Sequence, residues 1–227
     1  MVFTESNILV LSLHTRIMLD PVITAGMLLA DIILYMSVHL PMDIVMLTSR
    51  KKGAPSSSES SFSLPVTAQI LAFLPSVAFW ILFLASPWLV LSGIYERVAL
   101  ILKSPFSTIL QGGGLLLLFL GVVLAGWGRI SRGVIAPSRD MPEEYSLSTH
   151  GAYGLVRHPL YLSYALFFVG LPLALLTPWL FMLLPGIYGY YLIAEVEETM
   201  LTARFGTQYT HYQQEVGMFI PFWGVRK

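Results

Sequence analysis

The chain has 227 residues, of which 56% are hydrophobic and only 11% charged, and its mean hydropathy is +0.72. A soluble domain carries about 25% charged residues, so most of this surface is expected to face lipid. Lysine plus arginine equal aspartate plus glutamate at 13 each, which gives no overall basic character suited to nucleic acid. Because the chain lacks cysteine, disulfides, catalytic thiolates and cysteine-ligated metal sites are excluded, and no other metal site is indicated.

Apolar segments of membrane-spanning length predict an all-α polytopic membrane protein with about five transmembrane helices. The first three spans are predicted at residues 22–47, 66–91 and 109–130. Residues 160–194 are too long for one span, and Thr177-Pro178 predicts a break between two short helices.

Two acids, Asp31 and Asp43, fall in the first predicted span. Buried acids inside a membrane are usually functional, so ion transport is one interpretation. We expect no lysine or arginine partner for either acid in another span, and we therefore rank transport low.

Basic residues indicate how the spans are oriented. Alternating sides at each span places ten of the 13 lysines and arginines on one side and three on the other. The positive-inside rule then predicts an N-terminus outside and a C-terminus in the cytoplasm. The polar segment 131–157 shares the cytoplasmic side with the C-terminal tail.

Residues 151–161, Gly-Ala-Tyr-Gly-Leu-Val-Arg-His-Pro-Leu-Tyr, lead from this polar segment into a predicted membrane helix. Pro159 suits the first helical turn, where its missing N–H costs nothing. Free N–H groups at a helix start can bind an anion such as a carboxylate. On composition alone a structural interpretation is favoured, with Arg157 and His158 at the lipid headgroups and the tyrosines in the aromatic belt.

Three carboxylates cluster where the fifth predicted span ends, at Glu195, Glu197 and Glu198. Large apolar side chains then recur at spacings of four, three and four residues, which predicts a C-terminal amphipathic cytoplasmic helix. Taken alone, these residues are also typical of a helix on the membrane surface with solvated acids. The stripe consists of Phe205, Tyr209, Tyr212 and Val216.

In chain order the motifs are G-x-Y-x-x-x-R-H-P-x-Y, an apolar hairpin, E-E-x-x-L, F-G-x-x-Y-x-x-Y and a terminal I-P. This order resembles the isoprenylcysteine carboxyl methyltransferases, particularly their compact prokaryotic relatives, with phospholipid N-methyltransferases as more distant kin. The resemblance covers about residues 138–221, whereas the first 100 residues match only as generic membrane spans.

The resemblance implies an S-adenosylmethionine-dependent methyltransferase with a cytoplasmic active site and a lipophilic acceptor. S-adenosylhomocysteine would be its product. Residues 1–130 would form the substrate side, and residues 131–227 would form the cofactor-binding core. The cofactor-binding residues that it implies are Tyr145, Ser146, Leu147, Ser148, Tyr153, His158, Pro159, Leu160, Tyr161 and Glu197.

Catalytic roles depend on the acceptor, whose reacting atom stays open between oxygen, nitrogen and sulfur. A carboxylate is already ionised at neutral pH and needs no base, whereas an amine or thiol would need one, such as His158 or Glu198. In the prenylcysteine enzymes an arginine linked to substrate lies four residues before the cofactor glutamate, and Ile193 stands there in this chain. Arg157 and Arg204 are candidates to replace it.

Two other functions stay open on this sequence. Sterol and steroid reductases, which bind NADPH, also carry an R-H-P-x-Y element, but they usually place a Gly-Glu pair after it. Here Ser163 and Tyr164 follow the element, which favours the methyltransferase. The other alternative is a non-catalytic membrane protein.

Overall fold

All regular structure in the described part of the chain is helical. A computed structural model describes residues 18–50, 63–95, 101–102, 104–133, 146–221 and 223. The predicted all-α membrane class is confirmed, because four helical stretches are long and apolar enough to span a membrane and a fifth apolar helix is shorter. In chain order the helices are α1 (Pro21–Arg50), α2 (Val66–Leu91), α3 (Ser107–Arg132), α4 (Ala152–Leu155), α5 (Pro159–Ala174), a 3₁₀ helix (Pro178–Leu183), α6 (Pro185–Phe205) and α7 (Thr207–Glu215).

The first three spans match their predicted positions to within a few residues, and α2 has the predicted bounds. The break at Thr177-Pro178 is confirmed as well. The backbone there leaves the α conformation at Leu176, whose φ is 50°, and the 3₁₀ helix follows. The side chain of Thr177 is buried and hydrogen-bonds with the Tyr95 hydroxyl at 2.5 Å, so this turn is fixed to the segment that follows α2.

The C-terminal helix is present but interrupted. α6 continues past the predicted end of its span to Phe205 and carries the three carboxylates on its last turns. At Gly206 the backbone has a φ of 53°, which favours glycine, and α7 starts after it. The predicted apolar stripe is therefore divided, because only Tyr209 and Tyr212 lie on α7, and both are buried.

The expectation that Asp43 lacks a basic partner is wrong. Arg129, in the last turn of α3, forms an ion pair with the Asp43 carboxylate near the end of α1. The two helices pack directly against each other and bring these residues to the same end of the bundle. Sequence spacing does not show this pairing, because it joins residues 86 positions apart.

The closest helix contact, between α3 and α5, is made by small residues. A side chain at Gly114 would lie 2.1 Å from the Ala174 backbone nitrogen, and one at Gly170 would lie 3.0 Å from the Gly114 carbonyl oxygen. Small residues at such positions let membrane helices approach backbone to backbone. Beside this contact, Phe79 of α2 stacks on Phe167 of α5 with centroids 4.9 Å apart.

This packing predicts that Gly114→Leu strongly lowers the thermal unfolding midpoint of the detergent-purified protein. The new side chain would overlap backbone atoms, and overpacking of this kind typically costs about 1–3 kcal/mol or more. Gly113→Leu is the matched control, because a Cβ atom at Gly113 would have no neighbour within 4 Å among the described residues. Equal midpoints for the two variants would contradict the close α3–α5 contact.

Candidate active site

A pocket lies at the end of the bundle where α3 ends and α5 begins. It encloses about 560 Å³ of empty space, counting space open to solvent at its mouth. Its walls come from the end of α3, the segment before α5, and helices α6 and α7. The lining residues are Arg132, Leu147, Ser148, Tyr153, Arg157, His158, Pro159, Leu160, Tyr161, Glu197, Leu201, Tyr209 and Tyr212.

The segment before α5 is fixed to the end of α3. Gly151 adopts a φ of 61°, and a side chain there would lie 2.2 Å from the Ser131 hydroxyl oxygen. That hydroxyl accepts a hydrogen bond from the Ala152 backbone N–H at 3.1 Å. The Tyr212 hydroxyl of α7 donates to the Tyr153 carbonyl at 2.5 Å. The first glycine of the motif is therefore needed for close approach to α3.

The start of α5 is held by the chain that follows α7. The backbone N–H groups of Arg157 and His158 donate to the carbonyls of Gly217 and Met218 at 2.9 and 3.2 Å. Pro159 then occupies the first turn of α5, and no side chain caps this helix start. In the part of the chain that the structure describes, the start of α5 thus has no side-chain cap for its first-turn N–H groups.

Glu198 is the centre of the polar network behind the pocket. Arg157 donates to both of its oxygens, from Nε at 2.7 Å and from Nη2 at 3.0 Å. His158 Nε2, Tyr209 and Gln213 complete the set at 2.9, 3.0 and 2.5 Å. Because a carboxylate accepts about four hydrogen bonds, these five donors saturate it. Glu198 is therefore held as a structural acceptor, and its oxygens are not available as a base.

Arg157 is likewise fully engaged. Its remaining nitrogen, Nη1, donates to the carbonyls of Gln213 and Val216 at 3.2 and 2.5 Å. Its side chain is only 4% exposed. The guanidinium thus ties α5, α6 and α7 together, although the residue contributes to the pocket wall.

Glu197 faces the pocket instead of the network. Its Oε1 accepts a hydrogen bond from the Tyr161 hydroxyl at 2.7 Å. Its Oε2 lies 3.7 Å from His158 Nδ1, beyond hydrogen-bond distance. A helix turns about 100° per residue, so the neighbouring glutamates Glu197 and Glu198 point in different directions.

The imidazole of His158 has a fixed orientation. Since Glu198 only accepts, His158 Nε2 must carry the proton of their hydrogen bond. The ring is nearly parallel to the Tyr161 ring, with centroids 5.5 Å apart, and it contacts Phe219 on another side at 5.9 Å. The edge of the ring that carries Nδ1 therefore faces Glu197 and the pocket.

Tyr209 acts as a hydrogen-bond donor at neutral pH. Burial, together with the adjacent Glu198 carboxylate, raises the pKa of its hydroxyl well above the usual range. The hydroxyl therefore keeps its proton and donates it to Glu198.

Eight of the ten predicted cofactor-binding residues line this one pocket. Ser146 is exposed and does not line the pocket, and Tyr145 lies outside the described residues. Of the predicted catalytic residues, Arg157 and Glu198 form an ion pair with each other through two hydrogen bonds. Arg204 is exposed, with its guanidinium 5.6 Å from the Phe205 ring, and the structure does not bring it to the pocket.

Sequence reasoning missed several residues at the site. Arg132 lines the pocket, but in the sequence it counted only as one of the basic residues near a span end. Tyr209 and Tyr212 were identified as an apolar stripe, although their hydroxyls make specific hydrogen bonds. Gln213 carries no pattern signal at all, because its role depends on the turn at Gly206.

The network predicts that Glu198→Ala destabilises the protein by about 3 kcal/mol, since it leaves a buried guanidinium without its counter-charge. Glu195→Ala is the control, because Glu195 is exposed and its carboxylate accepts a hydrogen bond from Tyr191 alone among the described residues. The stabilities of both variants are measured by denaturant or thermal unfolding in detergent. If Glu198→Ala lowers the free energy of unfolding no more than the control does, the network does not stabilise the fold.

Comparison with known proteins identifies the segment that carries the pocket. Residues 109–208 match the family model of the phospholipid methyltransferases. The protein-S-isoprenylcysteine O-methyltransferase of Tribolium castaneum is 36% identical over 88 residues, which cover 37% of this chain and 30% of that protein. A methanethiol S-methyltransferase of Mycobacterium tuberculosis is 36% identical over 80 residues, or 35% of this chain and 32% of its own length.

A third relative, protein-S-isoprenylcysteine O-methyltransferase A of Arabidopsis thaliana, is 32% identical over 82 residues, or 35% of this chain. The matched segments span only 30 to 42% of the length of these three relatives. The similarity therefore concerns the part of the chain from α3 to the start of α7. The resemblance predicted from the motifs is confirmed, because residues 109–208 match the phospholipid methyltransferase family model.

Proposed function

We propose that this protein is an integral membrane methyltransferase that uses S-adenosylmethionine to methylate a lipophilic acceptor. The observation that carries the proposal is the pocket itself, which collects most of the residues of the R-H-P-x-Y and E-E motifs within the matched family segment. The relatives in that segment are methyltransferases by name. The positive-inside bias supports a pocket that opens to the cytoplasm.

The lining residues fit the chemistry of this cofactor. Its methionine end is a zwitterion, and the pocket offers a carboxylate at Glu197, a guanidinium at Arg132 and the first-turn N–H groups of α5. Its adenine is flat and its sulfonium is cationic, and aromatic rings such as Tyr153 and Tyr161 suit both by stacking and cation–π contact.

When bound, the cofactor supplies an electrophilic methyl group on a positively charged sulfur. The residues of this chain would bind it, align it with the acceptor and exclude water, which is most of what an in-line displacement requires. An acceptor that is already ionised needs no base. For a thiol or amine, His158 is the base that this geometry favours, because Glu198 is saturated while His158 Nδ1 faces the pocket.

A second cavity supports a lipophilic acceptor. This hairpin groove lies between α5, α6 and the segment after α7 and is lined by residues such as Ala165, Ile187, Tyr188 and Ile220. It holds about 1050 Å³ of empty space, counting space that is open to its surroundings. Among the described residues, none that lines it is charged. Tyr161 belongs to both the hairpin groove and the pocket, so a single side chain separates them. An apolar chain in the groove would bring its reacting end beside Tyr161.

The cofactor assignment predicts that S-adenosylhomocysteine binds the detergent-purified protein saturably and that Glu197→Ala and His158→Ala each weaken binding about tenfold or more. Loss of a charge-assisted hydrogen bond typically has that size. Glu195→Ala should bind like the wild type, because that side chain lies outside the pocket. Titration calorimetry measures all four proteins.

NADPH is titrated in parallel. Binding of NADPH without S-adenosylhomocysteine would make the protein a reductase and overturn the proposal. Binding of neither ligand by a folded protein would favour a non-catalytic role.

The hairpin groove predicts that Ala165→Trp lowers methyl transfer to a prenylated cysteine about tenfold, since the indole would fill the space for the apolar chain. Transfer to methanethiol, which has no such chain, should fall much less. Leu116→Trp, at a position of α3 that faces outward, serves as control. Labelled methyl transfer is measured together with S-adenosylhomocysteine affinity, which Ala165→Trp should leave unchanged. Methylation of neither probe would contradict the acceptor class.

A further inference from the structure

The exposed surface near the C-terminus changes from polar to apolar where α7 ends. The exposed side chains of α7 include Gln208, His211 and Gln214. His211 lies 3.7 Å from Glu215, and their side chains are 70% and 65% exposed. Residues 216–223, which follow, contain no charged side chain. The exposed face of α7 therefore suits water, and a surface suited to lipid begins only after this helix.

The chain after α7 exposes two large apolar side chains. Residues 217–221 and 223 are called the C-terminal apolar segment here. Ile220 is 55% exposed and Trp223 is 71% exposed. The Trp223 backbone N–H donates to the Ile220 carbonyl at 3.3 Å, which closes a turn. A Cβ atom at Gly217 would overlap the Ile220 carbonyl oxygen, so glycine is needed where the turn folds back. The two apolar side chains are therefore held on an ordered turn.

The C-terminal apolar segment is hydrogen-bonded to the residues that precede α5. The carbonyls of Gly217 and Met218 accept from the backbone N–H groups of Arg157 and His158. The Phe219 ring also contacts the His158 ring, with centroids 5.9 Å apart. Because α5 starts at the next residue, the segment lies at the level where this apolar helix begins. That level separates the polar end of the bundle from its apolar surface.

The segment is continuous with the apolar outer surface of α6. Phe219 and Ile220 line the hairpin groove together with Tyr188 and Tyr191 of α6, and both tyrosines are exposed. Tryptophan and tyrosine are enriched at the boundary between membrane and water, where an apolar ring and a polar edge are both satisfied. Lipid that covers the outer surface of α6 would therefore extend onto Ile220 and Trp223.

We infer that the C-terminal apolar segment inserts Ile220 and Trp223 into the lipid headgroup region and thereby holds the start of α5. Insertion fixes the turn, and the turn presents the two carbonyls that bind Arg157 and His158. Contact with the bilayer then stabilises the pocket wall at His158. Neither contact requires a bound cofactor, so the test is independent of the proposed function.

The first measurement determines which medium surrounds the segment. Because the chain has no cysteine, a nitroxide label attaches only where one is introduced. Ile220→Cys and Trp223→Cys are compared in phosphatidylcholine–phosphatidylglycerol vesicles with His211→Cys, exposed on α7, and Leu116→Cys, exposed on α3. Power-saturation electron paramagnetic resonance gives the accessibility to oxygen, which concentrates in lipid, and to a water-soluble nickel chelate. The ratio at positions 220 and 223 should be closer to that of Leu116→Cys than to that of His211→Cys.

The second measurement determines whether lipid contact holds the start of α5. Hydrogen exchange of the peptide that contains Arg157 and His158 is followed by mass spectrometry in the same vesicles. Ile220→Ser and Trp223→Ser should each speed the exchange of these two amides about tenfold, because each removes an inserted apolar side chain. His211→Ser is the matched control and should exchange like the wild type, since its side chain lies outside the segment.

Labels at Ile220 and Trp223 that are as accessible to the nickel chelate as the label at His211 would overturn the inference. Labels that neither reagent reaches would also overturn it, because a protein surface would then cover the segment. Lipid accessibility with unchanged exchange in both serine variants would overturn the connection to α5. Failure of the wild type to bind S-adenosylhomocysteine would contradict the proposed function and would alter none of these measurements.

Discussion

The buried carboxylate of Glu198 is the point on which the geometry of the pocket depends. It joins the start of α5, the end of α6 and helix α7 through donors that lie 11 to 41 residues away in the chain. A carboxylate removed from water is stable only if every oxygen is satisfied. The hydrogen bonds that satisfy the Glu198 carboxylate therefore fix the positions of His158 and of the start of α5.

Because Glu198 carries the structural role, its neighbour Glu197 is left for the pocket. The sequence presents the two as an equivalent acidic pair, and residue type alone cannot separate them. The rotation of the helix directs Glu198 toward Arg157 and Glu197 toward Tyr161. The same division applies to the two arginines at the end of α3, one paired with Asp43 and the other lining the pocket. In both cases two side chains of like charge lie close together on one helix and have different surroundings.

Features determined by local sequence were predictable. Span positions follow from apolar length, and the break at Thr177 follows from a stretch too long for one span and a proline. The pocket was predictable as a set of residues because the motifs are compact in sequence. Contacts between distant segments were not: the Asp43–Arg129 ion pair and the backbone pairing of Arg157 with Gly217 leave no periodic signal.

Tyr161 connects these observations, since it hydrogen-bonds Glu197, stacks beside His158 and forms part of the hairpin groove. On the proposed function, the cofactor approaches from water and the acceptor from lipid, so the two must meet at a boundary between polar and apolar surroundings. An aromatic ring with one polar end suits such a boundary, because its face packs with apolar groups while its hydroxyl stays hydrogen-bonded. The position of Tyr161 follows from Pro159, which starts α5 there, and from Glu198, which holds that start in place.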